Sequence, residues 1–414
     1  MTAQAQTKPS IALMAAYTNY RRDPRVRREA EALVEAGWRV EFLASRQPGE
    51  PDCETIDGVT IIKVPKLNQR RTSMALYLVD YTLFFLWSMA YMCTRPLRYR
   101  LIHINNMPDF LVFAAWLPRA LGVPVIHDVH DLMPELFEEK FAARKHRWVV
   151  RIVRAQERWA CRFATALLTV EERLKDVLAA RGVARDKLHV LMNLPDERIF
   201  VPRQAVPAKA AGGPFVLAYH GTLARRLGLD IAIRAVALAR AQVPELRLRI
   251  IGAGEERDTL IALRNELGLA DIVTFSDGFV PVQAVPALIA DADAGIVPLR
   301  ICSGTDIMLP TKLLEYVTMG IPCIAPKTGT IARYFDESML QFFEAENCES
   351  LAGAIVDLHR DPGRRSAMAI QATRRFAEPY QWRTHKRIYT DLVERLTASA
   401  LDVSSDPMST RKIP

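Results

Sequence analysis

The chain has 414 residues, 50% of them hydrophobic and 25% charged, with a formal net charge of +8. That length allows two domains of ordinary size, and the composition excludes a disordered, collagen-like or disulfide-framed chain. The six cysteines (Cys53, Cys93, Cys161, Cys302, Cys323, Cys348) lie far apart with no C-x-x-C pair, and the first ten residues lack the basic-then-apolar pattern of a secretory signal. Both features lead us to expect a cytoplasmic protein in a reducing compartment.

The excess charge belongs to the first half: residues 1–195 hold 29 basic and 21 acidic side chains, and the remainder holds 26 of each. Its groups are Arg21, Arg22, Arg25, Arg27, Arg28 and Lys140, Arg144, Lys145, Arg147, Arg151, Arg154. Such a half is attracted to an anionic membrane surface, which makes the inner face of the cell membrane a place for the protein to sit. A solvated basic face is the alternative. No nucleic-acid partner is expected, because aromatic-interleaved basic motifs and finger spacings are missing from the sequence.

In chain order, residues 11–16 form a short apolar run suited to a buried strand, and Asp23-Pro24 reads as an N-cap followed by proline at the first helical position. Val26, Ala30, Leu33 and Val34 make one helical face that Gly37 ends, and residues 39–44 return as a strand. Strand–helix–strand is the unit of a parallel sheet. The alternation continues through residues 60–62, an apolar helix over 75–93, a strand at 101–104, a helix from Pro108 and a strand at 124–127. The 75–93 stretch is only just long enough to span a bilayer and carries Asp80, so a helix covering the sheet or dipping into the interface fits it better.

Residues 127–135, His127-Asp128-Val129-His130-Asp131-Leu132-Met133-Pro134-Glu135, crowd ionisable groups at the carboxyl end of a strand, where open α/β sheets place ligands. A third metal ligand at matching spacing is missing, so no metal site is expected. A basic helix over 145–162 and strands at 165–170 and 188–192 complete the first series. A proline- and glycine-rich stretch, 194–214, marks a boundary.

The second series has strands at 215–220, 246–251, 272–275 and 294–299, with helices over 229–241 and 256–267. Gly252-Ala253-Gly254 is an incomplete dinucleotide fingerprint, since Arg257 stands where its third glycine belongs. Asp291 and Asp293 read as a turn.

Residues 309–325 are the informative stretch. Pro310 can start a helix whose apolar face is Leu313, Leu314 and Val317, Gly320 closes it in a left-handed cap, and residues 321–325 follow as a strand. Free N–H groups at 310–312 offer a seat for phosphate, and Glu315 lies one turn further in. That pairing suits a nucleotide diphosphate, with the carboxylate accepting from ribose hydroxyls. The alternative is an amphipathic helix with a solvated Glu315. An amphipathic helix over 380–398 and a tail at 399–414, expected to be disordered, end the chain.

Pro310-Thr311-Lys312-Leu313-Leu314-Glu315-Tyr316 with Gly320-Ile321-Pro322 resembles the donor-site signature of the family 4 glycosyltransferases, also called glycosyl transferases group 1. Tyr219-His220-Gly221-Thr222-Leu223 with Gly228-Leu229-Asp230 is similar to that family's first donor-domain strand and loop. Asp23-Pro24-Arg25-Val26 with Glu29-Ala30, and residues 127–135, match its first domain. The resemblance implies an α/β, GT-B fold of two Rossmann-like domains with parallel sheets facing across a cleft. The acceptor domain would be 1–200, completed by the helix 380–398, and the donor domain 210–379.

The resemblance further implies a retaining glycosyltransferase that uses a UDP- or GDP-sugar as substrate, with no separate cofactor and no metal, and a lipid-linked or glycan acceptor. By position, Glu315 holds the ribose, and Pro310, Thr311 and Lys312 line the phosphate end. Arg225 or Arg226 neutralises the diphosphate, and His130 contacts the transferred sugar. Gly221, Thr222, Gly252, Gly254 and Phe279 join the donor residues, and Arg25 with residues 17–22 lies near the acceptor. His130, Glu315 and Arg225 are the expected catalytic set. The sequence departs from the family's Glu-x7-Glu pattern at Ile307, leaving Asp306 or Ser303 to replace the first glutamate, and at Tyr17-Thr18-Asn19, where a glycine pair is usual. Two other readings stay open: a nucleotide-sugar epimerase on the same fold, and a non-catalytic scaffold that binds nucleotide or membrane.

Overall fold

The computed structural model describes residues 9–65, 74–140, 147–203 and 212–405. They divide into two compact units: residues up to Asn193 together with those from His385, and Leu194–Thr384.

The first unit is built on an eight-stranded sheet among the described residues: β1 (Ile11–Ala15), β2 (Arg39–Ser45), β3 (Cys53–Ile56), β4 (Val59–Val64), β5 (Leu101–Asn105), β6 (Val125–Val129), β7 (Ala166–Thr169) and β8 (Leu188–Val190). Their order is β3-β4-β2-β1-β5-β6-β7-β8, parallel except for the antiparallel edge strand β3. Strands β5, β6 and β7 are buried at every position, which is why they read as near-continuous apolar runs. Chain order reverses across β1, which pairs with β2 on one side and β5 on the other. At such a reversal the loops leave in opposite directions and open a crevice at the strands' carboxyl ends.

Asp23 caps the Pro24–Glu35 helix, its side chain accepting from the N–H groups of Arg25 and Val26. The segment from Pro108 is a 3-10 turn, Asp109–Ala115, before a short α-helix, Trp116–Ala120. Met74–Cys93 is helical, with Phe84 and Met92 packed against Leu13, Ile102 and Ile104. The last helix runs Trp382–Ser405, beyond the end expected at 398 and into the tail expected to be disordered; residues 406–414 lie outside the described residues.

The second unit carries six parallel strands among the described residues: β9 (Phe215–His220), β10 (Leu246–Ile251), β11 (Val273–Phe275), β12 (Ala294–Ile296), β13 (Cys323–Pro326) and β14 (Gln341–Phe343). Their order, β11-β10-β9-β12-β13-β14, reverses between β9 and β12. Asp293 sits in the turn before β12 and accepts from the Val216 N–H at 2.7 Å, the structural role expected of it. Between β12 and β13 lies the Thr311–Met319 helix, with Leu313, Leu314 and Val317 buried, each contributing roughly 1.5–3 kcal/mol. Pro310 is the capping residue just outside this helix, not its first turn, and Gly320 closes it at φ 69°.

Candidate active site

In the second unit, the loop leaving β9 and the loop leaving β10 run side by side. The Gly221 N–H donates to the Ile251 carbonyl at 2.9 Å, and the Leu223 N–H donates to the Ala253 carbonyl at 2.9 Å. A Cβ on Gly252 would lie 1.9 Å from the Gly221 oxygen, and one on Gly254 would lie 2.1 Å from the Leu223 oxygen. Glycine at 252 and 254 therefore lets two backbones touch and sets the position of Gly221.

The amino-terminal end of the Thr311–Met319 helix comes up against this loop. Among the described residues no side chain caps its first turn; the Leu313 N–H turns back to the Pro310 carbonyl at 3.0 Å, and the N–H groups before it and the positive dipole end are left for an anion. Lys312 Nζ lies 3.8 Å from the centre of the Tyr219 ring and 3.2 Å from where a side chain on Gly221 would begin. That ammonium is out of contact with solvent and has no hydrogen-bond partner among the described residues. Burial pulls its pKa down to about 7, against the attraction of Glu315 and with help from the charge of Arg226. A buried cation without an acceptor, beside an uncapped helix end and a glycine loop, fits a phosphate group.

One turn on, Glu315 Oε2 accepts from His220 Nε2 at 2.5 Å. A carboxylate can only accept, so His220 carries its proton on Nε2. His220 Nδ1 is 3.0 Å from the Tyr316 hydroxyl, which donates to the Ala218 carbonyl at 2.8 Å. Strand end and helix thus fix the carboxylate from below, and Oε1 has no protein partner among the described residues.

In the first unit, β6 ends in a buried charge network. Arg25 grips Asp128 with two hydrogen bonds, Nε to Oδ2 at 2.6 Å and Nη2 to Oδ1 at 2.7 Å, and donates to the Leu191 carbonyl at 2.9 Å. It also lies 3.2 Å from Glu29, while Asn105 donates to both carboxylates. The buried Arg25 is therefore a core residue, tied into the network at the end of β6. Atoms of Glu29, His103 and Asp128 come within 4.8 Å of one another, but the guanidinium already occupies the two acids. Cutting Arg25 back to methionine removes the cation that Asp128 and Glu29 both face, and urea unfolding should show a loss of about 3–5 kcal/mol.

His130 follows β6, with Nδ1 3.4 Å from Asp128 Oδ2 and its N–H donating to Asn106 Oδ1 at 3.3 Å. Burial alone would lower its pKa, but the neighbouring Asp128 carboxylate raises it to about 9. A raised pKa adds stability that is complete below the unfolded value near 6.5 and disappears as pH rises through about 9. Urea titrations of wild type and His130→Asn across that window should differ by roughly 2 kcal/mol at pH 6.5 and converge by pH 10.

Two family models match the chain: residues 23–193 match the Glycosyl transferase 4-like domain, and residues 202–375 match Glycosyl transferases group 1. The chain belongs to the family 4 glycosyltransferases. Over 165 residues, 39% of this chain and 43% of its relative, it is 32% identical to the GDP-mannose-dependent alpha-(1-6)-phosphatidylinositol monomannoside mannosyltransferase of Mycolicibacterium smegmatis. It is 27% identical to the 2-deoxystreptamine glucosyltransferase of Streptomyces kanamyceticus over 66% of this chain and 73% of that one. The match thus spans less than half the length of the first of these relatives. Among solved structures, sucrose-phosphate synthase from Thermosynechococcus elongatus superposes with a TM-score of 0.77 at 20% identity, over 95% of this chain and 100% of that one. Anabaena Alr3699/HepE in complex with UDP-glucose gives 0.71 at 15% identity, over 93% and 99%. These likenesses show the GT-B fold, in agreement with the two parallel-sheet units.

Within this family 4 glycosyltransferase, the structure brings Gly221, Pro310, Thr311, Lys312 and Glu315 together. Arg225 and Arg226 are both exposed on one turn, and Arg226 is the one whose charge reaches Lys312 and the Tyr219 hydroxyl. Thr222 is exposed, its carbonyl accepting from that hydroxyl at 2.7 Å, and Phe279 is exposed in the loop after the edge strand β11. Of the two residues considered for the missing glutamate, Asp306 accepts from the Gly329 N–H at 2.8 Å, and Ser303 is exposed at the start of a short helical turn. His220 and Tyr316 carry no role in the sequence reading. Their signal was position alone, one at a strand's carboxyl end and the other beside Glu315.

Proposed function

We propose that this chain transfers a sugar from a nucleotide diphosphate sugar to a lipid-linked or growing glycan acceptor, with retention of anomeric configuration. The Lys312 ammonium, without a partner among the described residues and set at an open helix end one turn from a held carboxylate, carries this reading. In it the second unit takes the donor: Glu315 Oε1 accepts from the ribose, and Thr311 and Lys312, with Gly221, Thr222 and Arg226, take the diphosphate. The relatives and neighbours support the donor class, since their names include GDP-mannose in one case and UDP-glucose in another.

During transfer the bond from the sugar's anomeric carbon to the β-phosphate oxygen breaks and a bond to the acceptor oxygen forms on the same face. The acceptor proton goes to the departing phosphate. Lys312, Arg226 and the helix end neutralise the charge that builds up there. In this reading His130, its pKa held at about 9, is the donor to the transferred sugar. The reading puts the enzyme in the cytoplasm, and six cysteines that are all free agree with a reducing compartment.

Radiolabelled UDP- and GDP-sugars incubated with the chain and a lipid extract test this, with the product's anomeric configuration read by NMR. Transfer that is lost in both Glu315→Ala and His130→Ala is expected. Undiminished transfer by both variants would end the reading. Donor converted without any acceptor would point to an epimerase, and binding without turnover to a scaffold.

A further inference from the structure

The first unit has an apolar face that its own core does not use. The Met74–Cys93 and Arg147–Phe163 helices lie on the same side of the sheet, because Phe84, Met92, Leu111 and Ala160 share one cluster with Leu13, Ile102, Ile104 and Val125. A helix that covers a sheet needs one apolar stripe and turns a polar one to water. Met74–Cys93 has no polar stripe. Its one charged residue, Asp80, is turned inward, where the Tyr17 hydroxyl donates to it at 3.4 Å. Val79, Leu83 and Leu86 follow each other outward at one-turn spacing with Leu78 beside them, between 36% and 51% exposed.

A second helix on that side of the sheet, with the 109–115 segment packed against both, supplies the complementary chemistry. Trp148, Ile152 and Trp159 are between 55% and 65% exposed, and Arg151, Arg158 and Arg162 stand exposed among them, with Arg154 donating to Glu138 at 3.0 Å. Indole rings beside arginines suit the headgroup level of a bilayer, where an apolar body and a polar tip are both satisfied. The other basic group is already engaged: Arg21 pairs with Glu54, Arg25 with Asp128, Arg27 with Glu31 and Asp57, and Arg28 donates to Asn193. Arg151, Arg158 and Arg162 thus present positive charge on the side of the sheet that carries the apolar stripe.

We propose that this face seats the chain on an anionic lipid bilayer. The outer stripe of Met74–Cys93 lies in the plane of the interface, and the arginines of Arg147–Phe163 rest on lipid phosphates. A second copy of the chain is the poorer occupant, because two such faces would set arginines against arginines. The proposal does not rest on the donor reading.

Flotation of the full chain with vesicles of phosphatidylcholine alone, or mixed in equal parts with phosphatidylglycerol, tests it. Binding is expected to the mixed vesicles and to weaken with salt. The Leu83→Glu/Leu86→Glu variant should partition about tenfold or more weakly. The Arg151→Gln/Arg158→Gln variant should lose roughly fivefold per arginine on mixed vesicles only. Unchanged thermal unfolding and nucleotide binding in both variants would show that fold and donor site are intact. Equal partitioning of wild type and variants, or folded wild type that ignores mixed vesicles, would overturn the proposal. A wild-type dimer split by Leu83→Glu/Leu86→Glu, with no vesicle binding, would assign the face to a second copy.

Discussion

Replacing Glu315 by alanine is expected to weaken nucleoside diphosphate binding by about 10- to 100-fold, the range for losing hydrogen bonds to a charged group. The same change takes away the acceptor of His220 Nε2, now 2.5 Å from the carboxylate. Glu315 and His220 act as one unit, since the imidazole's purpose is to aim the acid. The Glu315→Ala/His220→Ala double variant should therefore bind hardly worse than Glu315→Ala alone, and calorimetry on the four proteins gives the coupling directly. His220→Ala alone should fall between, because it leaves the carboxylate in place but free to turn. Additive losses would mean that the two residues do not share a task.

Lys312→Met has two opposed expected effects. It should cost about 100-fold in affinity for a nucleoside diphosphate and leave the nucleoside alone nearly unaffected, because the role proposed for the ammonium is to meet the phosphates. It should also stabilise the ligand-free protein by ~1–3 kcal/mol at neutral pH, since burial holds the Lys312 pKa near 7 and keeping the cation there is unfavourable. The sign follows from linkage. A lysine whose folded pKa is depressed carries its full penalty below about pH 7, and the penalty fades as pH rises toward the unfolded value near 10.4. The gain from the substitution should therefore be largest at or below pH 7 and vanish by about pH 10. Binding has its own proton signature. At pH 8 the ligand-free amine is mostly neutral, and an incoming diphosphate draws the proton back. Titrations in buffers of different ionisation enthalpy should show uptake of nearly one proton by wild type and none by Lys312→Met.

Much of this architecture could be read from the sequence, because strands buried on both faces appear as apolar runs and their flanking helices carry local stop and start signals. Asp23-Pro24 and Gly320 are such signals, and both cap helices in the structure. The edge hairpin β3–β4 escaped notice although its turn, Asp57-Gly58, has both residues at positive φ and is a recognised hairpin dipeptide. Its short, half-exposed strand gives no apolar run to draw attention. The 109–115 segment reads as α-helix from its apolar content, and nothing in the residues separates that from the 3-10 turn observed.

At the site, Lys312 and Glu315 were legible because they share one helix. Their partners were not. His220 meets Glu315 across 95 residues of sequence, and Arg25 meets Asp128 across 103. In the sequence Arg25 stands in a run of arginines that reads as a solvated face, and only the fold shows that two acids wait for it in the core. That the charge of Arg226 reaches Lys312 is likewise a relation that local spacing cannot supply.

Hydrogen exchange of the wild-type chain with and without saturating nucleoside diphosphate tests the central claim most directly. The account predicts slowed exchange at the amides of residues 221–223 and 311–315, where the glycine loop and the open helix end would close on phosphate and ribose. Tight binding that leaves those amides unprotected, with protection at the strand ends of the first unit instead, would contradict it.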